Sequence, residues 1–264
     1  KEALRWFRKA AKKGHSKAQL QLGLIYAKGA GVRADDMRAA EWYRKAALQD
    51  YAKAQYNLAC LYAQGRGVPR DNAEAVEWYR KAAIQRYPKA QYFLGIHYLR
   101  GTGVRRNYSE AANWLRKSAE QGYHRAYYQL GKMYLKGLGV AQDDKEAYML
   151  FLHGAAAGDK KSQYRLGILY AEGKGVDRDD TRAFELFTQS SEQGYAPAQY
   201  RLALLHVQGA GTRRDMVKAY AWCYAAAQSG VPEIVSMLKK IADRMDEPEL
   251  AAGKIKGRKL FAKY

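Results

Sequence analysis

A unit of 36 residues repeats six times along this chain without an insertion. Pairs of glycines separated by one residue mark its register, at Gly29/Gly31, Gly65/Gly67, Gly101/Gly103, Gly137/Gly139, Gly173/Gly175 and Gly209/Gly211. A unit this short cannot bury its own apolar face, so neighbouring units must stack to form a core. The period therefore predicts a repeat architecture, and stacks of this kind usually build long surfaces for partners rather than pockets for chemistry.

Each unit has the pattern of two helices joined by a glycine turn. Leu58, Leu61 and Tyr62 recur at helical spacing and form the apolar stripe of a first helix. Gly65 ends that helix, because a helix end followed by a reversal requires positive φ. Asp71 then predicts the N-cap of a second helix, and Glu74 predicts the second half of a capping box.

Residues at the same position of successive repeats form columns, and two columns are aromatic. They are Tyr26, Tyr62, Tyr98, Tyr134, Tyr170 and His206 in first helices, and Trp42, Trp78, Trp114, Leu150, Leu186 and Trp222 in second helices. Apolar volume is largely kept along both columns, as in a packed core. We therefore expect both columns to be structural.

The unit from Ala18 to Ala47 reads Ala-x3-Leu-Gly-x2-Tyr-x2-Gly-x-Gly-Val-x2-Asp and ends in Trp-Tyr-x-Lys-Ala-Ala. This pattern resembles the Sel1-like repeat, a relative of the tetratricopeptide repeat with a longer turn between its helices. The resemblance implies an all-α fold, a right-handed α/α superhelix (solenoid) of 36-residue helix-turn-helix repeats with first helices on the concave side. It also implies a bacterial interaction scaffold or adaptor, periplasmic or secreted, in an envelope or host-interaction process.

The repeat register predicts three regions. Residues 1–15 form a partial N-terminal repeat with a second helix only, six repeats follow at 16–51, 52–87, 88–123, 124–159, 160–195 and 196–230, and residues 231–264 form C-terminal capping helices with a basic end. In the last region, Leu250, Ile255, Leu260 and Phe261 are expected to supply an apolar edge while Lys254, Lys256, Arg258, Lys259 and Lys263 face solvent; the alternative is a basic tail used for binding. Because Lys1 lies in mid-repeat, a targeting sequence and a first helix can precede it.

The composition constrains the partners. Lys and Arg number 46 against 26 Asp and Glu, a formal net charge of +20. Such a charge favours acidic partners and opposes self-association, so we expect a monomer. No run approaches the roughly 18 apolar residues of a membrane span, so no membrane insertion is expected. Cys60 and Cys223 lie four repeats apart and are expected to be reduced, packed thiols.

No motif for chemistry emerges. The Gly-x-Gly turns follow helices rather than strands, and none is followed by the Gly-Lys-Ser or Gly-Lys-Thr of a phosphate-binding loop. The five histidines fall at unrelated repeat positions without metal-ligand spacing. Paired acids such as Asp143/Asp144 begin second helices, where capping explains them. We expect no catalytic residues, no metal, no cofactor and no enzyme activity.

Binding residues are predicted on the concave face. Positions i, i+4, i+7 and i+11 of each first helix, counted from Lys17, avoid the apolar stripe and carry eleven basic side chains and one acidic one, Glu172. The predicted partner-binding residues are Lys17, Lys53, Asn57, Lys89, Phe93, Ile96, Arg100, Arg125, Gln129, Lys132, Lys136, Lys161, Arg165 and Arg201. We expect this groove to bind an acidic, partly extended segment of a protein or peptide partner.

Three alternatives stay open. The charge can be an ordinary solvated helix face. If the face is displaced by one residue, the column of Leu20, Tyr56, Tyr92, Tyr128, Tyr164 and Tyr200 lines the groove as an aromatic ladder. The net charge and the tyrosines also suit a nucleic-acid-binding solenoid, in which phosphate contacts would make binding strongly salt-dependent.

Overall fold

The computed structural model describes residues 2–263. Lys1 and Tyr264, the first and last residues of the predicted terminal regions, lie outside the described residues. The helices are α1 (Glu2–Lys12), α2 (Ser16–Lys28), α3 (Asp36–Ala47), α4 (Ala52–Gln64), α5 (Asn72–Ile84), α6 (Pro88–Arg100), α7 (Tyr108–Glu120), α8 (His124–Lys136), α9 (Asp144–Ala156), α10 (Lys160–Glu172), α11 (Asp180–Ser191), α12 (Ala196–Gln208), α13 (Met216–Ala227), α14 (Pro232–Ala242) and α15 (Glu247–Phe261). No strand occurs among these residues. The predicted all-α fold of helix-turn-helix repeats is confirmed.

The two glycines of each turn have different roles. Gly65 has φ 69° and its N–H donates to the carbonyl of Leu61, which closes the end of α4. Gly67 has φ 67°, and a Cβ there would also collide with the backbone of Asp36 at the start of α3. The second glycine therefore permits close approach to the preceding repeat as well as positive φ.

The N-caps form as predicted, but the capping box does not. The Asp71 carboxylate accepts from the N–H groups of Ala73 and Glu74, at 2.9 and 3.0 Å. The N–H of Asp71 donates to the Tyr62 carbonyl at 3.0 Å, and the Glu74 carboxylate accepts from Trp78 Nε1 at 2.8 Å. The prediction for Glu74 is wrong because the first helix of the same repeat already satisfies the Asp71 N–H. The N–H groups of Asn107 and Asp143 are satisfied in the same way, by the carbonyls of Tyr98 and Tyr134.

Two side chains replace glycine at the end of a second helix. Asp50 and Arg86 have φ of 55° and 60°, in the left-handed region where Gly122, Gly158 and Gly194 lie in other repeats. The backbone geometry is therefore retained there without glycine, at a cost of about 1 kcal/mol for each residue.

The chain divides into two compact units, and each is described by itself. Unit 1 comprises Lys1–Ala126 and Gly137–Ala141, and unit 2 comprises Tyr127–Lys136 and Gln142–Tyr264.

Alanines of the second helices build the unit 1 core. Ala46, Ala75 and Ala82 are fully buried, so helices approach closely, and Leu58 and Leu94 of the first helices fill the space between them. Trp78 is 6% exposed, which confirms that it belongs to the core. In unit 2, Phe151 and Phe187 are the large buried side chains of the second helices.

The last helix packs through glycines rather than through the predicted apolar edge. In α15 the buried Gly253 and Gly257 lie against the rings of Tyr220 and Tyr224 on α13, where a Cβ would be crowded. Leu250 packs on the hydrophobic cluster around Tyr220, but Ile255 is 58% and Phe261 is 48% exposed. The prediction for Ile255 and Phe261 is wrong because the glycine face of α15 makes the closest contact with α13. The basic residues are exposed, as predicted: Lys254, Lys256, Arg258, Lys259 and Lys263.

Candidate functional site

The predicted partner-binding residues differ in exposure. Lys17, Lys53, Lys89, Arg100, Arg125, Lys136, Lys161 and Arg201 are exposed, and Asn57, Phe93, Gln129, Lys132 and Arg165 are half-buried. Ile96 is 8% exposed, so it can contribute only the wall of a cavity. Lys17 lines a cavity at the start of unit 1 with the apolar side chains Trp6 and Phe7.

Unit 1 contains a cavity that joins several predicted residues, and we call it the Tyr79 pocket. Its volume is about 310 Å³, and its lining residues are Tyr56, Cys60, Ala63, Gln64, Arg70, Asn72, Tyr79, Phe93, Ile96, His97, Arg100 and Thr102. Phe93, Ile96 and Arg100, three of the predicted residues, therefore share one wall. Tyr56 belongs to the tyrosine column that would line the groove if the binding face were displaced by one residue. Residues from both predicted faces therefore line the same pocket.

Aromatic rings form the floor of the Tyr79 pocket. The rings of Tyr79 and Phe93 stack with centroids 5.5 Å apart and an interplanar angle of 10°. The Tyr56 ring lies 5.9 Å from each of these two rings. These contacts hold the rings in place before any ligand arrives, which reduces the entropy lost on binding.

Two polar groups interrupt this apolar lining. Tyr79 Oη donates to Cys60 Sγ at 3.3 Å, and burial raises the pKa of the Cys60 thiol. His97 Nδ1 lies 2.7 Å from the carbonyl oxygen of Thr102. Since a carbonyl only accepts, Nδ1 carries the proton, and burial lowers the pKa of the imidazole. Neutral His97 therefore keeps Nε2 as an acceptor.

The Tyr79 pocket exists because this part of the chain departs from the repeat pattern. The column of Phe93 otherwise holds amide or arginine side chains, Gln21, Asn57, Gln129, Arg165 and Arg201. The column of His97 is otherwise apolar, with Ile25, Leu61, Met133, Leu169 and Leu205. Cys60 and Ala63 are smaller than Ile96 and Leu99, their equivalents one repeat later. These departures from the repeat pattern are the signal for the pocket in the sequence, and neither the basic charges nor the apolar stripes reveal it.

Unit 2 carries a cationic surface over tyrosine rings, which we call the Tyr128 platform. The ammonium groups of Lys132 and Lys161 lie 5.3 and 5.8 Å from the Tyr128 ring centroid. The Arg165 guanidinium carbon lies 5.9 Å from the Tyr164 ring centroid, and the Tyr164 ring contacts Tyr195 at 5.3 Å. Three predicted basic residues therefore meet the tyrosines of the alternative column here, and cation–π attraction holds them in place.

The basic pairs of the second helices have structural roles. Lys45, Lys81 and Lys117 lie 4.3 to 4.5 Å from the centroids of Trp42, Trp78 and Trp114. Arg80 Nη2 donates to Tyr98 Oη in the next repeat at 3.1 Å, and Arg8 makes the same contact with Tyr26 at 3.3 Å. Arg44 likewise donates to Tyr62. These contacts hold the basic side chains of the second helices against aromatic residues of the repeats.

A column of buried glutamines was missed in the sequence. Gln55 Nε2 donates to the carbonyl of Ala47 in the preceding repeat at 3.2 Å, and its Oε1 accepts from Gln85 at 2.8 Å. Gln19 and Gln91 make the same two bonds. Their recurrence every 36 residues, at Gln19, Gln55 and Gln91, is the sequence signal that could have identified them.

The paired acids are occupied in structural contacts. Asp36 forms an ion pair with Arg66 at 2.8 Å, and Asp180 forms one with Arg178 at 2.9 Å. Within the described part of the chain, no group of three or more His, Cys, Asp and Glu residues could hold a metal ion. None of the helices described is long and apolar enough to span a membrane.

Comparison with known protein families matches the Sel1 repeat at residues 1–15, 16–51, 52–87, 88–123, 124–159, 160–195 and 196–231. The solved structure of c5321, a protective antigen present in uropathogenic Escherichia coli strains, is 37% identical with a TM-score of 0.86; the match covers 97% of this chain and 56% of that chain. This chain thus spans little more than half of that antigen's length. A Sel1 repeat protein from Oxalobacter formigenes is 36% identical with a TM-score of 0.74, over 81% of this chain and 85% of that chain. Among curated proteins, none matches this chain.

Proposed function

Because the chain belongs to the Sel1 repeat family, whose members are generally non-enzymatic scaffolds for protein–protein interaction, we propose that it is a scaffold or adaptor for one acidic partner. The partner contributes a partly extended segment, and the first helices of each unit bind it. Residues 231–264 cap the repeats in this proposal, and the protein acts as a monomer in a bacterial envelope or host-interaction process.

The distribution of charge on the first helices carries the proposal. Lys53 and Lys89 in unit 1 and Lys161 and Arg201 in unit 2 are exposed at predicted binding positions. Lys161 lies 5.8 Å from the Tyr128 ring centroid but remains exposed, whereas the basic pairs of the second helices are held by tyrosine and tryptophan rings. The first-helix cations are therefore available to attract an acidic segment and to accelerate its association.

Affinity capture with charge-reversal variants tests the proposal. One variant combines Lys53→Glu with Lys89→Glu, and a second combines Lys161→Glu with Arg201→Glu. The control combines Lys239→Glu with Lys240→Glu on α14, where both side chains are exposed, so the change in charge is identical. Lys132 and Arg165 stay unchanged because they are half-buried over tyrosine rings, and reversing them would also alter packing. Lys161 also lies over the Tyr128 ring, but its side chain is exposed, so reversing it changes mainly the charge.

The capture uses a nuclease-treated bacterial lysate, and mass spectrometry identifies the retained proteins. We expect the wild type and the control to retain the same acidic protein and both first-helix variants to lose it. Equal retention by all four proteins would contradict the proposal.

The net charge of +20 also favours nucleic acid as a second candidate partner. Binding to phosphates would weaken by orders of magnitude between about 50 and 200 mM salt when several phosphates are contacted. Binding of a single-stranded oligonucleotide to the wild type, measured across that range, therefore distinguishes the two partners. A steep loss without retention of any protein would replace the proposed function with nucleic-acid binding.

A further inference from the structure

We propose that the Tyr79 pocket binds one aromatic side chain of the partner, with a carboxylate beside that ring lying against Arg70 and Arg100. This inference rests on the proposed function and deepens it, because it adds a specific anchor to a surface that otherwise attracts charge. It identifies the recognised segment as one in which an aromatic residue adjoins a carboxylate.

The size and lining of the pocket suit a single large side chain. A volume of about 310 Å³ lies at the lower end of the about 300–1,000 Å³ that is common for ligand sites. The half-buried rings of Tyr56 and Phe93 offer surface to an entering ring, and the buried Tyr79 ring stacks behind Phe93 and supports it. Aromatic pairs in tilted or offset geometry gain energy beyond area burial alone. Ala63 leaves open the space that a larger residue in its column would fill.

The rim of the pocket is cationic. Arg70 and Arg100 both line it, and neither forms an ion pair with any described residue. The lining contains no carboxylate. The charge of Lys89 also acts on the Cys60 thiol in the pocket, in the direction that lowers its pKa. A carboxylate beside the bound ring would therefore meet unpaired guanidinium groups, which can donate two parallel hydrogen bonds to it.

The carboxylate beside the aromatic ring can come from two places in a partner. The carboxylate is either the chain end of a terminal aromatic residue or the side chain of a neighbouring Asp or Glu. N-acetyl-phenylalanine represents the first source and N-acetyl-Asp-Phe-amide the second. N-acetyl-phenylalaninamide supplies the ring without the charge, and N-acetyl-serine supplies the charge without the ring.

Cys60 reports directly on occupancy of the pocket. It is half-buried in the lining, whereas Cys223 is fully buried, so iodoacetamide should modify Cys60 first. The reaction is followed by mass spectrometry at alkaline pH, because burial raises the pKa of the thiol. Cys60→Ala supplies the background rate.

We expect at least one of the two charged aromatic probes to slow modification of Cys60 about threefold or more at saturation. Its half-effective concentration should be about tenfold lower than that of N-acetyl-phenylalaninamide. The better of the two charged probes identifies the source of the carboxylate. N-acetyl-serine should leave the rate unchanged. If neither charged aromatic probe slows modification more than N-acetyl-serine does, the inference is overturned.

Ala63→Leu fills the pocket with a side chain that the scaffold already accepts, since Leu99 and Leu135 occupy that column. Ala27→Leu makes the same change one repeat earlier and is the matched control. Saturation-transfer NMR of the better charged probe should lose its signal with Ala63→Leu and keep it with Ala27→Leu, while both proteins melt as the wild type does. Undiminished binding to a folded Ala63→Leu protein would refute the pocket.

The two proposals fail in different experiments. If the probes protect Cys60 but the first-helix charge variants retain every captured protein, the acidic-partner function is wrong and the pocket stands. If those variants lose the partner but no probe binds, the pocket is wrong and the function stands. Reduced partner capture by Ala63→Leu, with the Ala27→Leu control unaffected, would connect the two.

Discussion

In unit 1, Arg8, Arg44 and Arg80 each donate to a tyrosine of the following first helix, whereas in unit 2 their column holds Leu152 and Thr188. Trp42 and Trp78 in unit 1 likewise correspond to Leu150 and Leu186 in unit 2. Tyr170 of unit 2 instead accepts from Arg182, a residue of its own repeat, at 2.9 Å. The helical hairpin is the same in both units, so backbone geometry follows the glycine and alanine pattern and does not depend on these polar contacts.

The two units also differ in what fills the space beneath the first helices. Tyr79 in unit 1 bonds to the small thiol of Cys60 and lines a cavity. Phe151 and Phe187 occupy its column in unit 2; they are as buried as Tyr79 but have no hydroxyl. The first-helix face of unit 2 is accordingly a platform of cations over tyrosines. Similar backbones thus offer a pocket in one unit and a cationic surface in the other.

The largest expected effect is in the tryptophan column. Trp78→Ala should lower the free energy of unfolding by about 3–5 kcal/mol, because a buried ring, its bond to Glu74 and its contact with Lys81 are lost together. Leu186→Ala, at the equivalent position of unit 2, should cost about 2 kcal/mol. Urea unfolding followed by circular dichroism measures both. Equal losses in the free energy of unfolding would contradict the expectation that Trp78 contributes more to stability than Leu186 does.

The glutamine column should show the next largest difference. Gln55→Leu removes two hydrogen bonds, to the Ala47 carbonyl and from the Gln85 amide, at a cost of about 1–3 kcal/mol for the two together. In unit 2 the column keeps Gln163 and Gln199 but holds Tyr127 in its first repeat. Tyr127 stacks on His153 at 5.6 Å, so Tyr127→Leu should cost only about 1 kcal/mol. The comparison fails if Gln55→Leu is neutral in chemical denaturation.

A smaller effect is expected for the arginine contacts. Arg80→Leu copies Leu152 of unit 2 and should cost about 1 kcal/mol, because the side chain is partly exposed. Tyr98→Phe removes the same hydrogen bond, so the double variant should cost less than the sum of the two single changes. Additive costs in this cycle would mean that the bond contributes nothing to stability.

The smallest effect is a dependence of stability on pH. His206 replaces tyrosine in unit 2 and is 3% exposed, and burial, with a further contribution from Lys218, lowers the pKa of its imidazole, while Asp215 acts in the opposite direction. Below about pH 6.5 the unfolded chain binds a proton there before the folded chain does. Stability should therefore be fully present above that pH and decrease as pH falls.

His206→Tyr should remove part of this decrease, as measured by thermal melts between pH 5 and 8. His97 in unit 1 has its pKa lowered by burial in the same direction, so His97→Leu provides the comparison. An unchanged pH profile in both variants would assign the decrease to other groups.

Much of the fold was predictable because it depends on short-range rules. Gly65 and its equivalents had to end helices, and Asp71 had to cap one, whatever the tertiary structure. Glu74 was mispredicted because its alternative partner, Trp78, is one turn further along the same helix, and the N–H of Asp71 was already satisfied. Ile255 and Phe261 were mispredicted because glycines, which add no apolar signal to a sequence, made the contact with α13.

The candidate site was only partly predictable for the same reason. Helical spacing placed Phe93, Ile96 and Arg100 on one side of α6, and the structure brings them to one pocket. It could not show that Tyr79, from a second helix, stacks on Phe93, since that contact joins different repeats. Nor could it show that Lys132 and Arg165 are half-buried over tyrosine rings rather than free in solvent.

The sequence by itself determined the repeat, the helices, their ends and the excess of basic charge, because each depends on spacing along the chain or on composition. The tertiary structure decided which cations are held by rings, which polar side chains join repeats, and where small side chains leave a cavity. These depend on distances between residues from different repeats, and such distances are fixed only when the helices pack.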